Sequence, residues 1–270
     1  MPTYVVGRER VWRKRTPRQT LLAYLGYLLG AIAVLVAARF ISGQTLWFFV
    51  LDAPEQAADL VGRMFPPSWG YANRLWRPLW DTLNIATIGT LAALVVSVPV
   101  AFLAARNTTP HPLFRQLALV VIVTSRSVNA LIWALLLVSI IGPGVLAGII
   151  AVALRSIGFC AKLLSEAIEE IDFKPIEALD STGASGSQVV AYGIVPQVAP
   201  AFAGISVYRW DINIRESTVV GLVGAGGIGL PLDASIASLQ WSQATVIFVM
   251  ILVLVVISEW VSAKVRGAIR

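Results

Sequence analysis

Charge is scarce in this sequence. Only 13% of its 270 residues are Asp, Glu, Lys or Arg, about half the share in ordinary soluble domains. With 57% hydrophobic residues and a mean hydropathy of +0.77, the apolar excess exceeds what a water-soluble core absorbs, and lipid is the medium that accepts it. Cysteine is scarcer still. Cys160 stands alone in an apolar run, which excludes an intrachain disulfide and leaves the redox compartment open. The one histidine, His111, lies between two prolines. With no second His or Cys to join it, it reads as a surface turn residue rather than a metal ligand. No phosphate loop of the form Gly-x-x-x-x-Gly-Lys-Ser/Thr occurs, and no Lys follows a Gly, so the chain offers no ATP site of that kind.

Long apolar runs are what the sequence has instead. A helical span needs about 20 mostly apolar residues, and six stretches qualify: residues 20–42, 82–105, 117–141, 145–164, 194–214 and 244–263. The first is preceded by basic residues, as a signal peptide would be. Its apolar part exceeds the roughly 7–15 residues of a signal core, so it is expected to be an uncleaved anchor.

The basic residues set the expected orientation. Arg8, Arg10, Arg13, Lys14, Arg15 and Arg18 precede the first run; Arg106, Arg115, Lys162, Lys174, Lys264, Arg266 and Arg270 fall on the same side of a six-span chain. The other side holds Arg63, Arg74, Arg77 and Arg215. Positive residues favour the cytoplasm, so both termini are expected there. The net charge of +6 is thereby a topology signal and a lipid-headgroup contact, with no nucleic-acid partner implied. The stretch 43–81 is then an external loop. Trp47, Trp69, Trp76 and Trp80 within it suit an interfacial aromatic belt.

One connection, residues 165–193, is long and hydrophilic. Pro175 can open a helix, Glu177 and Asp180 suit its positive end, and Gly183 and Gly186 weaken or end it. A short surface helix over 175–182 follows, built of small residues that let another surface come close. A plain solvated loop fits the same pattern.

The residues Glu177-Ala178, Gly183 six positions on, and Val195-Pro196 resemble the Glu-Ala-Ala loop of ABC importer permeases. Leu179 and Val195 replace the usual Ala and Leu. "SRSVNALIWALLLV" (125–138), "GFCAKLLSEAIEEID" (158–172) and "NIRESTVVGLVGAGGIG" (213–229) resemble the phosphonate importer permeases in particular. The last has a counterpart in methionine importer permeases, and Arg155 stands where this family is expected to carry His. The likeness covers about residues 80–265.

The resemblance implies an all-α polytopic bundle of about six spans, with the type I (MetI-like) importer permease fold, in the cytoplasmic (inner) membrane. Residues 1–19 would be a cytoplasmic basic N-terminus, 20–79 the first span and external loop, 80–265 the permease core and 266–270 a cytoplasmic tail. Glu177, Ala178, Asp180 and Gly183 would form a coupling helix docked on a cytoplasmic ABC ATPase dimer, which would hold ATP and Mg, with no cofactor in this chain. A second permease copy or a homologous permease, and an extracytoplasmic phosphonate-binding protein, would complete the assembly. The implied function is inward movement of phosphonate, phosphate or phosphite by alternating access, without catalytic chemistry. Another small anionic or amino-acid-type solute is the alternative.

Two rivals are weaker. A secondary carrier typically shows inverted repeats and midplane carboxylates, and no clear internal repeat is present here. An intramembrane enzyme would need a metal cluster or a nucleophile–base pair, and no such spacing occurs.

Gly224-Ala225-Gly226-Gly227-Ile228-Gly229 satisfies G-x-G-x-x-G. A dinucleotide site needs a preceding strand, and here a membrane helix is expected, so close backbone packing or an anion-binding turn is the better reading. Among charges in or near spans, Arg39 and Glu259 are expected to snorkel from span ends. Arg126 and Arg155 are expected to meet Asp211 or Glu216 across helices, as internal pairs or as the lining of an anion path. Asn213, Arg215, Glu216 and Ser217 are expected at the external end of the fifth span, forming with Gly226 and Gly227 a translocation path or gate.

Overall fold

The computed structural model describes residues 3–6, 9–12 and 17–269. Arg8, Arg13, Lys14, Arg15 and Arg270, which entered the charge count, lie outside the described residues. The chain divides into two compact units between Leu60 and Val61. The first holds an antiparallel hairpin, β1 (Thr3–Val6) and β2 (Glu9–Trp12), with Thr3 opposite Trp12. This small sheet adds to the otherwise helical architecture expected. Then comes α1 (Pro17–Gln44), apolar around its whole circumference as a membrane span is.

The expected external loop is largely helical. α2 (Trp47–Met64) carries Asp52, Glu55, Gln56, Asp59 and Arg63 along one side and mostly apolar residues on the others. Acids at i, i+3 and i+7 mark one face of a helix, a period that a search for uniformly apolar stretches passes over.

The second unit is a helical bundle. A 3₁₀ turn (Trp69–Tyr71) leads into α3 (Ala72–Ala104), which begins ten residues before the expected second span. At 1.5 Å per residue its 33 residues reach about 50 Å, more than the bilayer core of about 30 Å. Trp69 of the turn and Trp76 and Trp80 of this extension are exposed. Thr82, Ala86, Gly89, Thr90, Ala93, Ser97, Ala101 and Ala104 form its buried stripe. Small residues at this spacing let helix backbones approach in lipid, where no hydrophobic effect drives helices together.

The expected third span is broken. α4 (Pro112–Ser127) and α5 (Ala130–Ile141) meet at 89°. Val128 is extended, and the Asn129 side chain accepts from Leu131 N at 3.1 Å. That cap starts a new helix where hydropathy alone reads continuity. His111 is exposed and caps α4 through Nδ1, which accepts from Leu113 N at 3.1 Å.

α6 (Val145–Glu169) is the central helix, buried along much of its length. After it come α7 (Lys174–Ser181), the single turn α8 (Gly186–Gln188), a π-helical turn (Val189–Ile194) and α9 (Val195–Gly221). α7 matches the expected surface helix to within one residue. The expected fifth span stops at residue 214, but α9 runs on through Arg215, Glu216, Ser217 and Thr218 because those polar side chains find partners within the bundle. The short α10 (Gly229–Ala237) and the long α11 (Trp241–Ile269) complete the chain. Among the described residues, five helices are long and apolar enough to cross a membrane, and α4 with α5 makes a sixth if the bent pair is one crossing.

Close helix contacts make a test. A Cβ on Gly158 would lie 2.6 Å from Ile122 O and 2.7 Å from Ser125 Oγ, whereas one on Gly204 meets nothing within 4 Å. Gly158→Ala is expected to destabilise the bundle by about 1–3 kcal/mol through overpacking. Gly204→Ala should leave it unchanged. Thermal unfolding of the two variants in detergent compares them directly.

Candidate functional site

Two places concentrate polar groups. The first is α7 and its flanks. Pro175 sits in the first turn beside Glu177, and α7 has no buried residue. Its end is built by Gly183, at φ +78°. Gly183 N donates to Asp180 O at 3.0 Å and Ala184 N to Leu179 O at 3.4 Å, the paired bonds of a Schellman cap. Glu177, Ala178, Asp180 and Gly183 are all exposed on this short, firmly ended helix.

The base of the loop is tied by a residue that sequence reasoning missed. Gln197 Oε1 accepts from Asp172 N at 3.0 Å, and Gln197 Nε2 donates to Asp172 O at 3.2 Å and Gly193 O at 2.8 Å. One amide thus joins the end of α6 to the start of α9. Arg106 N also donates to Glu169 Oε1 at 2.8 Å, which ties the α3–α4 turn to the same end.

The second place is inside the bundle. Arg209, on α9, is buried, with 3% of its side chain exposed. Its Nε donates to Ser156 Oγ at 2.9 Å and its Nη2 to Glu216 Oε2 at 3.0 Å; its guanidinium carbon lies 5.2 Å from the centre of the Phe159 ring. Arg155, on α6, donates from Nε to the other oxygen, Glu216 Oε1, at 3.1 Å, and from Nη1 to Val128 O at 3.4 Å. Asn213 Nδ2 donates to Thr90 Oγ1 at 2.7 Å and to Ser156 Oγ at 3.0 Å. Nearby, the buried Asp211 pairs with Arg215 and accepts from Ser258 Oγ at 2.9 Å.

Helical periodicity explains the division. Arg209, Asn213 and Glu216 fall at i, i+4 and i+7, on one face, while Asp211 and Arg215 pair at i, i+4 on another. The spacing Arg-x₃-Asn-x₂-Glu was a legible signal for the first group. A charge at the bilayer centre costs about 2.5–3.5 kcal/mol on insertion scales, so pairing is the condition for these residues to be there.

The expected cross-helix pairing holds for Arg155 with Glu216. Arg126 is different: it is exposed, in the last turn of α4, and stands outside the cluster. Ser217 is buried and donates to Ile214 O at 2.8 Å within its own helix. The expected group does not mark a helix end, since α9 runs on to Gly221, and Asn213 and Ser217 are buried within the bundle. Arg39 and Glu259 are exposed.

The glycine segment follows a helix, not a strand, so the context a dinucleotide fingerprint requires is missing. Gly226 and Gly227 have φ of +86° and +76°. A Cβ on Gly227 would lie 2.7 Å from Thr82 Oγ1, the atom that accepts from Ile228 N at 2.8 Å. Both glycines are buried and serve this close passage.

A cleft of about 260 Å³ opens beside the cluster, lined by Asn129, Ala130 and Leu131 at the start of α5 and by Arg215, Glu216, Val219 and Val220 of α9. The broken third span therefore supplies one wall of the cleft and the carbonyl that holds Arg155.

A multi-span helical bundle with a paired charge cluster at its heart and an exposed, capped helix outside it suits a membrane transport permease. The family model described as "Binding-protein-dependent transport system inner membrane component" matches residues 97–266, and the chain belongs to that family. It is 42% identical over 219 residues to the phosphite transport system permease protein PtxC of Stutzerimonas stutzeri, covering 80% of this chain and 79% of that one. It is 41% identical over 217 residues to the phosphate-import permease protein PhnE of Mycolicibacterium smegmatis, covering 80% of this chain and 41% of that one. Among solved structures, an inward-facing MetNI methionine ABC transporter chain superposes with a TM-score of 0.61 at 22% identity, over 73% of this chain and 96% of that one. That likeness bears on the fold alone. Together these findings make the protein a multi-pass transport component of the inner membrane, as the importer resemblance implied.

The cluster depends on one shared hydroxyl. Ser156→Ala removes the acceptor of Arg209 Nε and a partner of Asn213. A loss of about 1–3 kcal/mol is expected from leaving buried donors unpaired. The unfolding midpoint of the purified variant checks it.

Proposed function

We propose that this chain is the permease subunit of an ATP-driven importer that moves a phosphorus oxyanion inward by alternating access. The substrate class rests on the names of its relatives, which transport phosphite and import phosphate, and on the arginines of the central cluster. Guanidinium groups match such oxygens with paired hydrogen bonds. Arg155, Asn213, Arg215 and Glu216 are proposed to line the path. Ser217, Gly226 and Gly227 are better understood as packing around it, and Arg126 as an exposed residue apart from it.

The observation that carries the mechanism is α7: an exposed helix ended by a Schellman cap and clamped at its base by Gln197. It is proposed to be the coupling helix, received by a separate ATPase dimer that holds ATP and Mg. A push on Glu177, Ala178 or Asp180 then reaches α6 and α9 together, and through them both sides of the charge cluster. A second permease copy or a homologue would complete the path, and a binding protein would deliver the solute from outside. Gly183→Trp places a bulky side chain at a positive φ on the docking face. Uptake by the assembled importer is expected to be abolished while the chain still inserts in the membrane, and unimpaired uptake would remove the coupling assignment.

Both termini and α7 are proposed to face the cytoplasm. Cysteines introduced as Gly70→Cys and Ser185→Cys, each in a Cys160→Ala background, test this. Position 70 should react with an impermeant thiol reagent in whole cells, and position 185 only after lysis. Three crossings separate the two if α4 and α5 together make one. Labelling of both from outside would mean that the bent pair enters and leaves on the same side.

A further inference from the structure

Glu216 occupies an unusual position. Its two carboxylate oxygens are divided between two arginines on different helices, Arg155 on α6 and Arg209 on α9. Two guanidinium groups converging on one pair of oxygens is also how proteins hold a phosphorus oxyanion. We propose that Arg155 and Arg209 form an oxyanion-exchange site inside the permease. In the state described here the Glu216 carboxylate fills the place that the travelling anion takes. The proposal rests on the reading that the chain moves phosphorus oxyanions and adds to it a residue, Arg209, and a displacement.

Three observations support it. The first is fixity. Arg209 is held by Ser156 Oγ, lies against Phe159 and is all but sealed from solvent. It cannot follow a moving partner, so the partner is the exchangeable part.

The second is access. Exposure falls from 30% at the Arg155 side chain through 22% at Glu216 to 3% at Arg209, so the site opens in one direction. Glu216 itself lines the 260 Å³ cleft, which has room for a small tetrahedral anion with some of its water.

The third is charge. Arg155, Arg209 and Arg215 face two carboxylates, Glu216 and Asp211, and Asp211 is engaged by Arg215 and Ser258. The group carries one excess positive charge, which an entering anion offsets.

The arrangement gives Glu216 two roles. With no substrate present it neutralises the buried guanidinium and keeps stray anions out. When an oxyanion arrives, the carboxylate swings into the cleft toward Arg215, which lines the same space. On release it returns, so the anion is never held by uncompensated charge and leaves readily. No covalent step is involved.

The test uses the permease–ATPase complex in lipid nanodiscs without its binding protein, with radiolabelled phosphate, phosphite and methylphosphonate as probes. Glu216→Gln keeps the shape and removes the competing charge, and anion binding by the complex is expected to tighten by about tenfold or more. Adding Arg209→Gln to that variant should abolish the gain. Glu216→Asp, whose shorter carboxylate reaches only one arginine, should show a smaller gain, and it decides the matter if Glu216→Gln does not assemble. No gain for any of the three probes in an assembled Glu216 variant would overturn the exchange site. So would a gain that persists without Arg209. The substrate reading is judged separately, by ATPase stimulation of the wild-type complex with loaded binding protein. If no phosphorus oxyanion stimulates it, that reading fails, whereas stimulation without a gain in the Glu216 variants sinks the exchange site alone.

Discussion

A buried arginine in a membrane bundle needs its counter-charge inside the protein, and Arg209 has it in Glu216 at 3.0 Å. With 3% of its side chain exposed, Arg209 has little solvent to share the load, and an isolated charge in the hydrocarbon is expensive. Much of the second unit can be understood as support for that contact. Ser156 accepts from Arg209 Nε and also from Asn213, which donates in turn to Thr90 on α3. Arg155 takes the second oxygen and is itself held by Val128 O, a carbonyl freed by the break between α4 and α5. The break is thus part of the cluster's construction.

Close packing is the companion constraint. α3, α4 and α6 approach through Gly89, Gly158 and the small residues around them, and Ser125 bonds both Gly158 N and the Leu154 carbonyl. Larger residues would push the helices apart, and the hydrogen bonds between Asn213, Thr90 and Ser156 tolerate little separation. The glycine segment does the same at the other end of α9. Its left-handed residues carry the backbone past Thr82 and Val145, where a side chain would collide. A motif that looks like a nucleotide fingerprint is explained by steric need.

The proposed coupling and cargo sites are joined by covalent continuity. α6 carries Arg155 and Ser156 and ends at the tied base of the α7 loop; α9 carries Arg209, Asn213 and Glu216 and begins at the same base. Gln197 bridges the two. In the proposed coupling, a displacement of α7 would act on both helices that hold the carboxylate between the arginines.

The amino-acid order alone determined the medium, the class and α7. Uniformly apolar runs leave little choice but lipid, and Pro175, Glu177 and Gly183 carry local start and stop chemistry that acts within a few residues. It also brought Arg155 and Glu216 together as candidates, because charges in apolar runs demand partners. Other features were hidden for physical reasons. α2 is amphipathic, so it lacks the uniform hydropathy of a span. The break at Val128 depends on a single Asn cap inside an apolar run. The end of α9 lies beyond Glu216 because polar residues that look like a helix end to hydropathy are stabilised by partners 61 and 123 positions away, Arg155 for Glu216 and Thr90 for Asn213. Only tertiary structure decided that Arg209 shares Glu216 with Arg155 while Arg126 stays exposed, since helix rotation and cross-helix distance are set by packing among three separate helices.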